Sequence, residues 1–205
     1  QIAGLLDGQR NWVTNLANAS SVLYNSMNRF SAWKDKRVNW AGFYLLLRFF
    51  QDLWHPSSNP RFGWAHSAVC LHAKLSRACR AAVYVLTEVR CFHRRLSVSL
   101  EQRTIVRQYQ DTDTAGHIAC DLQSQSEIVV PIVVPKSSLS RAQREAIAGH
   151  GPEELVRAWG GRGDSDVIVG VLDIDCEATH GFGAEDVIAL ERIVHRISGA
   201  CDWIS

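Results

Sequence analysis

Two apolar runs constrain the fold of this chain more than any other feature. One is Ile128-Val129-Val130-Pro131-Ile132-Val133-Val134; the other spans Val167 to Ile174. Runs of that length, dense in β-branched residues, read as strands buried on at least one face. Each carries acid at one end, Glu127 at the mouth of the first and Asp173 and Asp175 at the end of the second. Asp173 and Asp175 alternate with Ile174, so both carboxylates point to the same face. Two acids there are costly unless they bind something, and an amino group is the natural partner.

Helices are expected on either side of these strands. Residues 8 to 28 place Trp12, Val13, Leu16, Ala19, Leu23 and Met27 on a helical stripe. Val38 to Leu47 predicts a strand holding Trp40, Phe43 and Tyr44, with Gly42 inside it. Ala184 to Ile204 predicts a closing helix: Glu185 and Asp186 suit its first turn, and Val187, Leu190, Val194, Ile197 and Cys201 form its stripe. The expected fold class is α+β, an antiparallel sheet with the N- and C-terminal helices packed on one side.

The loop before the first apolar run reads Gly116-His117-Ile118-Ala119-Cys120-Asp121. A thiol that does chemistry needs a neighbour favouring the thiolate and a rigid platform. His117 fits that need, whereas Asp121 disfavours a thiolate. Most free cysteines are small buried hydrophobes, so local chemistry alone leaves both readings of Cys120 open.

Four segments, taken in order, add to this: Asn39-Trp40-Ala41-Gly42-Phe43-Tyr44, Gly116-His117-Ile118-Ala119-Cys120-Asp121, Ser126-Glu127-Ile128-Val129-Val130-Pro131 and Gly170-Val171-Leu172-Asp173-Ile174-Asp175. Together they resemble the free methionine-R-sulfoxide reductases, single GAF domains. The resemblance implies one GAF-like domain over 1–205, with a divergent segment at 48–107; the proline- and glycine-containing stretch 135–166 reads from its composition as an inserted surface loop, with a short helix expected at Arg141 to Ala148. The resemblance also implies that Trp40 and Tyr44 wall the pocket for the methyl-sulfoxide end, and that Glu127, Asp173 and Asp175 belong to the substrate site. Sulfur packs well against aromatic rings, which suits such a wall.

By the same resemblance Cys120 would attack the sulfoxide sulfur, with Glu127 or Asp175 protonating the departing oxygen. Cys70, with Cys79 as second choice, would condense with the resulting sulfenic acid, and thioredoxin would reduce the disulfide. The implied activity is that of an L-methionine (R)-S-oxide reductase acting on free methionine sulfoxide, with no cofactor and no metal; a homodimer is left open. Cys176 and Cys201 read as structural. The alternative is a GAF module that binds a small molecule without catalysis.

The divergent segment departs from the family pattern. Across it only Gly63 remains of the glycines expected there, and Cys70 and Cys79 stand without them. Residues 71 to 107 carry eight Lys or Arg against Glu88 and Glu101, and Ala78 to Val89 is rich in helix formers, so a solvated helix face is expected. Cys70-x-His72 and Cys91-x-His93 repeat a spacing, yet zinc pairs usually leave two to four residues between ligands. A net charge of +1 and the lack of a nucleic-acid motif give no reason to expect nucleic acid as partner. The apolar runs, Ala41 to Leu47 among them, are too short to span a bilayer. Six cysteines in a chain large enough to fold without staples favour a reducing compartment, hence the cytoplasm.

Overall fold

β-branched side chains crowd a helix but pack well on a pleated sheet, and both apolar runs are strands paired with each other. The computed structural model describes residues 2–46, 68–70, 81–86, 104–108, 123–141, 143–145 and 165–203. In chain order the elements are helices α1 (Ile2–Leu6) and α2 (Trp12–Arg29), strands β1 (Val38–Leu46), β2 (Ala68–Cys70), β3 (Ala81–Leu86), β4 (Ile105–Gln108), β5 (Ser126–Pro135) and β6 (Asp166–Cys176), and helix α3 (Ala184–Ala200). Short 3-10 turns lie at Lys34–Lys36 and Lys136–Ser138.

The strands form one sheet in the order β2-β3-β1-β6-β5-β4. The four contiguous strands β1, β6, β5 and β4 are antiparallel, as expected, and so is the β2/β3 pair. Among the described strands only β1 and β3 run parallel.

β3 corrects one expectation, because Ala81–Leu86 falls inside the stretch read as a helix face. The alanines and arginines around it favour a helix, but Val83, Tyr84 and Val85 suit a pleated surface. The edge of β1 supplies the ladder that overrides local propensity.

α2 begins where Asn11 Oδ1 accepts from Thr14 N at 2.9 Å, and it buries Trp12, Leu16, Ala19, Leu23 and Met27. Val13, placed on the same stripe from sequence, is only partly buried. α3 buries Leu190, Val194 and Ile197 and ends at Ala200, short of the expected Ile204. Asp186 Oδ2 accepts from Gly183 N at 2.8 Å and so closes the first turn of α3. The two long helices touch each other, with α2 against β1 and β3 and α3 against β5.

The chain ends meet as well. Arg10 donates to Asp202 Oδ1 through Nε at 2.9 Å and Nη2 at 2.7 Å, while buried Asn15 donates to the carbonyls of Gln9 and Ala200. The segment after β5 is not wholly superficial: Leu139 is 2% exposed, and buried Gln143 donates to Trp203 O at 2.8 Å. Among the described residues no helix is long and apolar enough to cross a membrane.

Candidate functional site

Pleating divides the sheet into an apolar face and a polar one. On β1, Ala41, Phe43 and Leu45 alternate with Trp40, Gly42 and Tyr44. Residues opposite each other in the ladder share a face, so Leu172 and Ile174 of β6 and Ile128 and Val130 of β5 extend the apolar side. α3 covers that side, where Val130 lines a groove with Glu191, Val194 and His195.

The other face carries the acids. Asp175 sits opposite both Trp40 and Glu127, and Asp173 sits opposite Gly42 and Val129. Glu127, Asp173 and Asp175 are 1%, 0% and 1% exposed, and one carboxylate oxygen from each lies within 4.8 Å of the others. Like charges directly opposite across a ladder destabilise it, and burial sharpens the penalty. Such a cluster is stabilised by a cation or by strong hydrogen-bond donors. An ammonium group with an apolar body matches both the acids and the wall.

Trp40 and Tyr44 build that wall. Four residues of strand span about 13 Å, yet their ring centroids are 6.3 Å apart with planes inclined at 38°. The rings therefore lean toward one another over Gly42, which has no side chain to hold them apart. That glycine carries no separate signal in the sequence beyond its place between two aromatics.

The cysteines are distributed differently. Cys70 ends β2 at the register position opposite Tyr84, which is itself opposite Tyr44, so it occupies the row of Tyr44 two strands away. Cys79 and Cys120 lie outside the described residues, as do Cys91, His72, His93 and the whole loop from Gly116 to Asp121. Cys176 and Cys201 are buried free thiols. Burial pushes the Cys176 thiol up, partly offset by its hydrogen bond with Ser126. Burial likewise pushes Cys201 up to about 11. Both remain protonated at neutral pH and are poor nucleophiles.

A polar knot closes the acidic end of β5 and β6. Ser126 Oγ lies 3.0 Å from Cys176 Sγ, donates to Ala178 O at 2.7 Å and accepts from Gly181 N at 3.1 Å. Gly181 is required there by close approach, because a Cβ would overlap Cys176 Sγ and come within 2.7 Å of Ser126 Oγ. Nothing local in the sequence foreshadows this knot.

No family model matches the chain. It is 27% identical over 208 aligned positions to the free methionine-R-sulfoxide reductase of Saccharomyces cerevisiae, covering 97% of this chain and 80% of that protein. To the free methionine-R-sulfoxide reductase of Escherichia coli it is 26% identical over 195 positions, covering 94% and 79%. A GAF domain of known structure superposes with a TM-score of 0.51 at 25% identity, over 98% of this chain and 82% of that one. The chain is a distant homologue of the free methionine-R-sulfoxide reductases, with a GAF-like fold.

Proposed function

We propose that the chain reduces free methionine-(R)-sulfoxide to methionine. The observation that carries this reading is the pairing of two unlike walls on one sheet face: three buried carboxylates within 4.8 Å and the leaning rings of Trp40 and Tyr44. The acids Glu127, Asp173 and Asp175 take the ammonium of a free amino acid, and the rings take its methyl-sulfoxide end. Distant homology to two proteins that bear this name supports the same substrate.

The chemistry belongs to the cysteines. Cys120 thiolate attacks the sulfoxide sulfur while Glu127 or Asp175 delivers a proton to its oxygen; the protonated oxygen then passes from that sulfur to Cys120 as the new S–S bond breaks, so that methionine leaves and Cys120 is left as a sulfenic acid. A second thiol condenses with it, forming a disulfide and releasing water. Cys70 is favoured for that step because its strand lies in the row of Tyr44. A dithiol protein such as thioredoxin then reduces the disulfide by exchange and is itself oxidised. No metal or organic cofactor takes part. A reducing cytoplasm suits this cycle.

Requiring a free ammonium gives a direct test. Free methionine-(R)-sulfoxide should bind with a Kd at least about ten-fold lower than its N-acetyl derivative, since one buried charge-assisted contact is worth about 1.5–3 kcal/mol. Equal affinity for both would remove the acids from the substrate site.

A further inference from the structure

A free amino acid carries a carboxylate on the same carbon as its ammonium. With Glu127, Asp173 and Asp175 taking the ammonium, the substrate brings a further carboxylate up to three that are already buried. Like charges that close repel strongly in a poorly solvated site, and a positive group beside the acids offsets the repulsion. The sheet offers one place for it. Arg107 is the one Lys or Arg in any of the described strands.

Its position follows from the ladder. Arg107 of β4 pairs with Glu127 of β5, Glu127 with Asp175 of β6, and Asp175 with Trp40 of β1, so one rung crosses four strands. Residues directly opposite one another share a face. Two neighbours fix the pleat around β4 independently. Val106, opposite Ile128, packs against the apolar core, and Thr104 Oγ1 donates to Glu191 Oε1 of α3 at 2.6 Å. Residues 104 and 106 thus belong to the side that α3 covers, and Arg107 to the side of the acids. β4 is the last strand of the described sheet beyond β5, about 5 Å from it, which puts residue 107 at the rim of the acid cluster.

We propose that Arg107 is a specificity-determining residue that receives the substrate's carboxylate. The site then reads all three parts of a free α-amino acid: ammonium on the acids, carboxylate on Arg107, methyl-sulfoxide on Trp40 and Tyr44. The inference rests on the reductase reading and deepens it. A guanidinium offers paired donors that match a carboxylate, and it stays charged at every working pH. A cross-strand pair with Glu127 on an edge strand would use the same position without touching substrate. That role gives no preference between a free carboxylate and an ester, so the two separate by experiment.

The test is titration calorimetry of the reduced chain at about pH 6, where the ammonium of each ligand is protonated. The ligands are free L-methionine-(R)-sulfoxide and its methyl ester, which keeps the ammonium and loses the carboxylate charge. The parent should bind the free acid at least about ten-fold more tightly than the ester. Arg107→Met should weaken the free acid at least about ten-fold without weakening the ester by more than about two-fold, and Arg107→Lys should recover part of the loss. Equal weakening of both ligands by Arg107→Met, or equal affinity of the parent for both, would overturn the proposal and leave the acid and aromatic walls standing. A parent that binds neither ligand would overturn the reductase reading and this inference with it. Should Arg107→Met fail to fold, Arg107→Lys carries the test. It keeps the charge and loses the fork, so the free acid should weaken more than the ester, and equal weakening of both would overturn the proposal.

Discussion

Glu127 and Asp175 stand directly opposite each other across β5 and β6, both buried, with Asp173 completing a cluster in which one oxygen from each lies within 4.8 Å of the others. A sheet assembled for stability alone would not place two carboxylates on one rung.

Neutralising one of them should therefore separate stability from function. Asp175→Asn keeps the volume and removes a charge, so the fold should be retained, with an unfolding free energy within about 1 kcal/mol of the parent. Substrate affinity should fall at least about ten-fold. Urea unfolding and titration calorimetry on the same preparation check both halves.

Gly42 keeps the space between the two rings free of a side chain. Gly42→Val suits a strand by propensity, yet it adds a branched side chain over Asp173 where Trp40 and Tyr44 lean together. The expected result is a folded protein by circular dichroism whose KM for the sulfoxide rises by roughly ten-fold or more.

At the knot below the acids the sign is the opposite. Gly181→Ala forces a methyl group into Cys176 and Ser126, so it should destabilise the chain by about 1–3 kcal/mol. Adding Cys176→Ala removes the obstructing sulfur, and the pair should be more stable than the sum of the two single changes predicts. Denaturant midpoints of the four proteins measure this coupling.

Cys201 makes stability depend on pH in the alkaline range. Its folded thiol holds the proton up to about 11, against an ordinary value of 9.0. The native state thus binds the proton more tightly than the unfolded chain does. The contribution is fully present below pH 9 and is lost as pH rises toward 11, amounting to roughly 2 kcal/mol. Cys201→Ala should flatten this part of the profile relative to the parent, read as the difference in unfolding free energy between pH 8.5 and 11.

Much of this architecture was legible in the sequence because its signals are local. The alternation of Asp173 and Asp175 about Ile174 places both acids on one face, and their strand runs from Asp166 to Cys176 as the apolar run implies. Helical stripes give α2 and α3 to within a few residues. β3 was not legible: its neighbours favour a helix, and its strand state depends on pairing with β1, far away in the chain. The Ser126–Gly181 knot leaves no local pattern, since it joins residues brought together only by the sheet. The three cysteines assigned to catalysis rest on the resemblance, and of these only the backbone of Cys70 lies among the described residues.

The most direct measurement is thioredoxin-coupled NADPH oxidation with free methionine-R-sulfoxide and, separately, the S-epimer, using the parent chain and Cys120→Ser. The account predicts turnover of the R-epimer alone, abolished by the substitution. Folded, reduced protein that turns over neither epimer, or a Cys120→Ser variant as active as its parent, would contradict it.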